Sequence, residues 1–360
     1  MFNHAKKTKG FAPTRVCIVI IKNFLRGRNR KFFKRLCLLL LAATIVSRTF
    51  NLRDIERNTA FVIDHPTPTD SVTRGKCALL FFGLVKDSFQ SISLPSINRH
   101  IVETNNQCEI FLHTYNITDV PLNPRNLEHT SHKANVSQAY LLTNKVALED
   151  MDNFNVKREK VLERTRKFYH RGWGKCCVSH DNMIKQWHSI EGVWNLMQKY
   201  ENENGIHFHQ IGLFRSDVYY TRAVDIFDSK GAIPNFAHHH GYNDRLFYGS
   251  YENAKIWASQ RFDFVDIFEK KYMSLYNSSG TKAFKNKKDG YHSETYVKNL
   301  MDDHGIDVEM KDHCLWRVRS GKKIMVDDCD GMTGFSTFSE VKSYRPPVYD
   351  PRNPWTMALK

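Results

Sequence analysis

Residues 205–249 read GIHFHQIGLFRSDVYYTRAVDIFDSKGAIPNFAHHHGYNDRLFYG, and the rest of the chain is organised around this stretch. Its apolar run IGLF at 211–214 predicts a buried strand. That run ends on RSD at 215–217, and the ligand crevice of an α/β sheet lies outside the carboxyl ends of its strands. A second charged turn, GYNDR at 241–245, follows. Each piece alone is compatible with a surface loop that carries an ion pair, but the two in this order predict a site.

The segments before this stretch predict a parallel sheet. CALLFFGLVK at 77–86 and CEIFLHTY at 108–115 are continuous apolar runs of the kind that fully buried strands show. Residues 88–105 between them predict a helix, although Pro95 favours a break or a late start. Strand, helix and strand in this order form a right-handed crossover unit. The predicted fold class is therefore α/β, with a mostly parallel sheet flanked by helices.

Further elements are predicted on both sides of the central stretch. A charged helix is predicted over 157–169, and apolar residues at helical spacing predict a helix over 182–197. Later helices are predicted from residue 251 and from residue 292, the second with Ser293 as its N-cap and Gly305 as its stop. Short strands are predicted at 306–310 and 314–319. Residues from Asp327 onward are predicted to be irregular.

The net charge of +15 is the usual mark of a nucleic-acid binder, but the excess is confined to one end of the chain. Twelve of the 53 Lys and Arg residues lie within residues 1–50, which contain no Asp or Glu. The remaining 41 basic residues are matched by 38 acidic ones, so the body is nearly neutral. We therefore predict no nucleic-acid partner.

The basic N-terminus precedes an uncharged apolar run, LCLLLLAATIVS at 36–47. Positive charge before the run predicts a cytosolic tail over 1–35 and a signal-anchor over 36–50, with the body on the lumenal side. A cleaved signal peptide is one alternative, because its apolar core has a similar length, and a buried core helix is another. Residues 51–75 mix charges with Pro and Thr and predict an extended stem.

Two features agree with a lumenal body. Asn-x-Ser/Thr sequons begin at Asn116, Asn135 and Asn277. Six cysteines follow the predicted anchor: Cys77, Cys108, Cys176, Cys177, Cys314 and Cys329. An even number permits disulfides, but the sequence leaves their pairing open. A zinc site is disfavoured because no C-x-x-C pair is present.

A short cytosolic tail, a signal-anchor, a stem and an α/β body form a layout that resembles Golgi type II glycosyltransferases. The runs at 78–86 and 109–115 look like the nucleotide-sugar half of a Rossmann-related GT-A fold. MIKQWHS at 183–189, GLFRSD at 212–217, IPN at 233–235 and GYNDR at 241–245 are similar in order and spacing to eukaryotic glycosyltransferase-like proteins. The resemblance covers roughly residues 77–318. It implies a Golgi membrane enzyme with its catalytic domain over 76–326 and a C-terminal tail over 327–360.

The resemblance implies an activity and its partners. The expected reaction transfers a sugar from a nucleotide-diphosphate donor to a hydroxyl of a glycan or glycoprotein. GT-A enzymes usually hold the donor diphosphate through Mn²⁺ or Mg²⁺ on an Asp-x-Asp triplet at a strand end. Here Arg215 replaces the first acid, so either Asp217 binds the metal or Arg215 contacts the phosphates itself. The candidate donor-binding residues are Gly83, Lys86, Gln186, Arg215, Asp217, Asn243 and Arg245.

An inverting transfer also needs a carboxylate that takes the proton of the acceptor hydroxyl. The candidates are Asp244, in the charged turn, and Glu294, in the first turn of a predicted helix. Their alternative interpretations are a salt-bridge partner of Arg245 and a helix-start acid favoured by the helix dipole.

Two other classes share parts of this pattern. A Golgi sulfotransferase has the same layout, but FGLVKD at 82–87 lacks the basic loop that binds its phosphosulfate donor. A non-catalytic lumenal carbohydrate-binding protein would suit the aromatic content of 12%. It would leave the acids at the strand ends without a role, and we keep it as the alternative function.

Overall fold

The computed structural model describes residues 75–123, 132–173, 176–273 and 290–329. The predicted cytosolic tail, the signal-anchor and nearly all of the stem lie outside these ranges, as do Asn277 and the tail from residue 330. Within the described ranges, no helix combines the length and the apolarity needed to cross a bilayer.

Seven of the described strands form the main sheet, in the order β10-β8-β9-β6-β1-β2-β5. Every neighbouring pair is parallel except those of β9, which runs antiparallel to β6 and β8. A second sheet has the order β12-β11-β7, and β3 pairs with β4. The strands are β1 (Cys77–Phe82), β2 (Glu109–Tyr115), β3 (Asp119–Val120), β4 (His132–Lys133), β5 (Val146–Glu149), β6 (Gln210–Arg215), β7 (Val218–Tyr220), β8 (Gly231–Pro234), β9 (Leu246–Ser250), β10 (Glu309–Lys311), β11 (Leu315–Arg319) and β12 (Lys323–Ile324).

The helices follow the predicted order with shifted boundaries. They are α1 (Leu94–Ile97), α2 (Met151–Arg166), α3 (Val178–Asn204), α4 (Tyr251–Ser259), α5 (Phe264–Ile267) and α6 (Ser293–Asp303). The chain does not break at Pro95, contrary to the prediction. Instead, α1 is the middle of a continuous helical segment over 89–102, and the hydrogen bonding of both ends of this segment is π-helical. Ser293 is the first residue of α6 and not its N-cap, which is His292. Gly305 follows α6 with a φ of +66°.

The central strand β1 explains why the sheet is covered on both faces. Its alternate residues Cys77, Leu79 and Phe81 belong to the core that includes the 89–102 segment. The intervening residues Ala78, Leu80 and Phe82 belong to the core that includes α3, α4 and α6. Because successive side chains of a strand point to opposite faces, an unbroken apolar run requires a layer on each side. The described part of the chain is thus a mixed α/β fold with a mostly parallel sheet flanked by helices, which confirms the predicted class.

The cysteines pair within this framework. Cys77 at the start of β1 bonds to Cys108 just before β2, and Cys314 before β11 bonds to Cys329. The segment Val326–Cys329 is a helical turn attached to β11, so the folded body continues past residue 326 into the stretch predicted to be irregular.

Candidate functional site

A cavity of about 470 Å³ lies at the edge of the main sheet where β1, β2 and β6 end. Because β9 is antiparallel to β6, it begins at the same edge, directly after the 241–245 turn. Both charged segments of the central stretch therefore line one cavity, as the strand-end rule predicts. The charged residues that line it are the basic Lys86, Lys185, Arg215, Arg245, Arg317 and Arg319 and the acidic Asp217, Asp244 and Glu294.

The chain leaves β1 for this cavity through Gly83. Its φ of +111° is one that residues with a side chain rarely adopt, and a Cβ there would lie 3.3 Å from Oγ of Ser216. The Gly83 N–H donates to Oγ of Ser189 on α3 at 2.9 Å. Gly83 therefore lines the cavity with its backbone, and its N–H connects the end of β1 to α3 by a hydrogen bond.

Asp217 lies at the end of β6, enclosed by cations. Arg215 approaches it with two atoms, Nε at 2.5 Å from Oδ1 and Nη2 at 3.3 Å from Oδ2. Nζ of Lys86 lies 3.2 Å from Oδ2, and Asp217 is only 6% exposed. Burial alone would raise the pKa of this carboxyl, but Arg215 and Lys86 outweigh that effect and hold the pKa below its usual range. Asp217 is therefore ionised, and both of its oxygens contact protein cations.

A second buried carboxylate, Asp328, was not among the sequence candidates. It accepts the backbone N–H of Arg317 at 2.8 Å and Nε of the same residue at 2.8 to 2.9 Å. Nη1 of Arg245 lies 3.9 Å away from Asp328 Oδ2, too far for a hydrogen bond. That Nη1 is buried and has no hydrogen-bond partner among the described residues. Burial, followed by repulsion from Arg317, lowers the pKa of Arg245.

Asp244, also in the cavity lining, contacts side chains from two helices, α3 and α6. Nε2 of Gln186 on α3 donates to its Oδ2 and to its carbonyl oxygen, each at 3.0 Å. Oγ of Ser293, the first residue of α6, also donates to Oδ2. Two protein donors therefore already engage Oδ2, which explains why a serine begins α6 although it does not cap the helix.

Glu294 lies beside His292 at the N-terminal end of α6. Its Oε2 is 3.0 Å from Nδ1 of His292, but that nitrogen makes no hydrogen bond to any described residue. The rings of His170, Trp173 and His239 surround His292 at centroid distances of 4.7, 5.2 and 5.6 Å. Glu294 thus faces the cavity from an aromatic wall and, unlike Asp244, accepts no side-chain hydrogen bond from α3.

Gly241 allows the charged turn to reach α6. A Cβ on Gly241 would lie 2.0 Å from the carbonyl oxygen of Glu294, a contact that only a backbone shift would relieve. The next residue, Tyr242, donates its N–H to that same oxygen at 2.9 Å. Close approach of two backbones therefore places Asp244 and Glu294 on one cavity.

Eight of the nine residues singled out in the sequence line this cavity. The exception is Asn243, which is 1% exposed. Its amide donates to the carbonyl of Phe236 at 2.7 Å and its oxygen accepts the N–H of Arg245 at 2.9 Å. Both polar ends of Asn243 are thus used inside the turn that positions Arg245.

Sequence reasoning missed Arg317, Arg319 and Asp328. Arg317 and Arg319 stand two residues apart on β11, so they share one face of that strand and line the cavity. The alternation of arginines along the predicted strand at 314–319 could have identified both as cavity residues. Asp328 had no comparable signal, because it lies after β12 in a stretch whose composition predicts irregular structure.

A group of three side chains away from the cavity lining could hold a metal ion: His113, Glu149 and His188 offer ligand atoms within 4.8 Å of one another. Nε2 of His188 lies 3.0 Å from Glu149, and its Nδ1 accepts from Nε of Arg158 at 3.0 Å. Since a guanidinium only donates, His188 carries its proton on Nε2. Both ring nitrogens of His188 are thus already engaged, next to a permanent positive charge.

No protein-family model matches the chain, and no curated protein matches it. Among solved structures, it is similar to the apo form of mouse xyloside xylosyltransferase 1, at 13% identity and a TM-score of 0.36. The match covers 66% of this chain and 84% of that chain. At this distance the likeness transfers neither an activity nor a substrate.

Proposed function

We propose that the protein is a glycosyltransferase that moves a sugar from a nucleotide-diphosphate donor to a hydroxyl of a glycan or glycoprotein acceptor. One observation carries the proposal: six Lys and Arg residues and three carboxylates line a single cavity at the strand ends. A cleft with such a surplus of positive charge attracts anionic ligands. Its volume of about 470 Å³ suits a small molecule of cofactor size.

The charged groups of the cavity suit the two parts of such a reaction. Lys86, Arg215 and Arg245 are the groups that would bind the donor phosphates, since guanidinium and ammonium groups are the usual phosphate ligands. Asp244 and Glu294 line the same cavity and are the acids that could act on the acceptor hydroxyl.

We assign the proton-accepting role to Glu294 and a positioning role to Asp244. Oδ2 of Asp244 is engaged by Gln186 and Ser293, whereas the carboxylate of Glu294 accepts no side-chain hydrogen bond from the described residues and lies 3.0 Å from Nδ1 of His292. In an inverting transfer the acceptor oxygen bonds to the anomeric carbon. The bond from that carbon to the donor phosphate oxygen breaks, and the nucleoside diphosphate leaves with the electron pair. Glu294 takes the proton of the acceptor hydroxyl.

The substitution Glu294→Gln distinguishes a role in proton transfer from a role in donor binding. The full chain is first screened with UDP and GDP sugars by thermal shift, and release of nucleotide from the stabilising donor is then measured. We expect Glu294→Gln to slow turnover by about 100-fold or more while donor affinity stays within about twofold, because the base acts only in the chemical step. Unchanged turnover would contradict the assigned role. Glycan binding by a folded sample that binds no nucleotide would favour the carbohydrate-binding alternative.

The proposal includes a single-pass type II Golgi membrane protein with a lumenal body. It rests on the charge pattern of residues 1–50, and the sequons at Asn116 and Asn135 are compatible with it because both residues are exposed in the structure. On expression of the full chain in a secretory eukaryotic cell, we expect glycosidase treatment to lower the apparent mass. Asn116→Gln with Asn135→Gln should reduce that shift. A chain that glycosidase leaves unchanged would contradict a glycosylated lumenal body.

A further inference from the structure

The end of β6 is where the GT-A resemblance places a metal-binding pair of carboxylates. In this chain the triplet is Arg215-Ser216-Asp217, so it offers one carboxylate and one hydroxyl. Mn²⁺ and Mg²⁺ need several oxygen ligands from protein, phosphate and water together. Whether a metal fits here depends on what surrounds those two groups.

The surroundings of the triplet do not fit a divalent cation. Oδ1 of Asp217 lies 2.5 Å from Nε of Arg215, and Oδ2 lies 3.2 Å from Nζ of Lys86. Oγ of Ser216 donates to the carbonyl of Leu84 at 3.3 Å, and Ser216 is fully buried. A metal ion at Asp217 would therefore have to displace a guanidinium or an ammonium group, next to the positive charge of the other.

The other acids of the cavity do not supply a replacement site. Asp244 accepts from Gln186 and Ser293, and Glu294 contacts His292. Within the described parts of the chain, the three-ligand group His113, Glu149 and His188 is the one grouping close enough to hold a metal ion, and none of its members lines the cavity.

The same cations are instead placed to meet an anion. Arg215 and Arg317 keep 21% and 27% of their side chains exposed while they line the cavity. Arg245 is 6% exposed, and its Nη1 donates no hydrogen bond to any described residue. A buried guanidinium nitrogen without an acceptor is unfavourable unless a ligand supplies one. Arg245 also lines the cavity, where a phosphate oxygen would accept a charge-assisted bond from its guanidinium group.

We propose that the donor diphosphate binds directly to the guanidinium groups of Arg215, Arg245 and Arg317, with no divalent metal ion between protein and phosphate. The inference rests on the proposed function and narrows it to metal-independent donor binding. Asp217 and Asp328 then serve as buried counter-charges that hold Arg215 and Arg317 in position. The three side chains also stabilise the negative charge that the nucleoside diphosphate gains as it leaves.

The test is calorimetric titration of the full chain, freed of metals, with UDP, GDP and CDP. Each titration is run in EDTA and again in excess Mn²⁺. We expect at least one nucleotide to bind in EDTA, with Mn²⁺ changing its dissociation constant by less than about threefold. Pyrophosphate in EDTA should compete with that nucleotide, because the phosphates make the contacts. As a matched control, Arg164→Gln removes a partly exposed guanidinium outside the cavity and should leave the affinity unchanged.

The outcomes separate this inference from the proposed function. Binding that appears only with Mn²⁺, or that tightens tenfold or more with it, would overturn metal independence and leave the transferase proposal standing. A nucleotide that binds in EDTA but is not displaced by pyrophosphate would also overturn the inference. A folded sample that binds no nucleotide under either condition would overturn both.

Discussion

Asp217→Asn is expected to lower the free energy of unfolding by about 3–5 kcal/mol, the usual effect of removing one partner from a buried ion pair. The amide has lost its charge, while Arg215 and Lys86 remain beside it, the second with a side chain only 4% exposed. The ammonium group of Lys86 would then be poorly compensated where water hardly reaches, and Arg215 would lose its only acidic partner within 4 Å among the described residues. The measurement is urea unfolding of the full chain in EDTA, followed by near-ultraviolet circular dichroism.

A matched control comes from the surface of the same fold. Asp119 pairs with Lys133 at 2.8 Å, but both side chains are about half exposed or more. Exposed pairs contribute about 0–1 kcal/mol, so Asp119→Asn should change stability by no more than that. If Asp217→Asn fell within the same range, its role as a counter-charge would be contradicted. Loss of Mn²⁺ binding without loss of stability would instead identify Asp217 as a metal ligand.

Arg245→Gln is expected to weaken nucleotide binding by about 10- to 100-fold. A hydrogen bond to a charged group contributes about 1.5–3 kcal/mol, and each 1.4 kcal/mol corresponds to about tenfold in affinity. Glutamine keeps a polar end but cannot present a charged fork to a phosphate. The dissociation constant of the nucleotide that binds the unmodified chain is the quantity to measure.

The stability of Arg245→Gln distinguishes a binding role from a structural one. Arg245 sits 3.9 Å from Asp328, whose carboxylate is already satisfied by Arg317. Burial and the neighbouring Arg317 lower its pKa, which means that the fold disfavours its charged form. We therefore expect the substitution to leave stability unchanged or slightly higher while binding falls. A large loss of stability with unchanged affinity would show that Arg245 supports the fold and not the ligand.

Many of the strands and helices were predictable from the spacing of apolar residues along the sequence. The unbroken apolar run at 77–82 predicted a strand buried on both faces, and alternate residues of β1 do belong to cores on opposite faces of the sheet. The apolar residues spaced along 183–197 predicted the helix that became α3. Such patterns are local, because a side chain's direction follows from the backbone period within a few residues. Boundaries were less accurate: α2 begins at Met151, six residues before its predicted start.

The location of the candidate cavity was also predictable, whereas the contacts of the residues that line it were not. The rule that ligands lie outside the carboxyl ends of strands placed Arg215 and Asp217 at a cavity. The sequence could not show that Lys86 crosses to Asp217, or that Asp328 returns from the end of the described chain to hold Arg317. No local period relates residues so far apart.

By itself, the sequence determined the α/β class, the central strands and the end of the sheet at which a ligand would bind. Only the tertiary structure decided what the carboxylate at the end of β6 has as neighbours. The reason is that the behaviour of an ionisable group depends on the charges within a few ångströms of it and on its access to water. For Asp217 those neighbours are Arg215 and Lys86, brought together by the parallel pairing of β1 with β6.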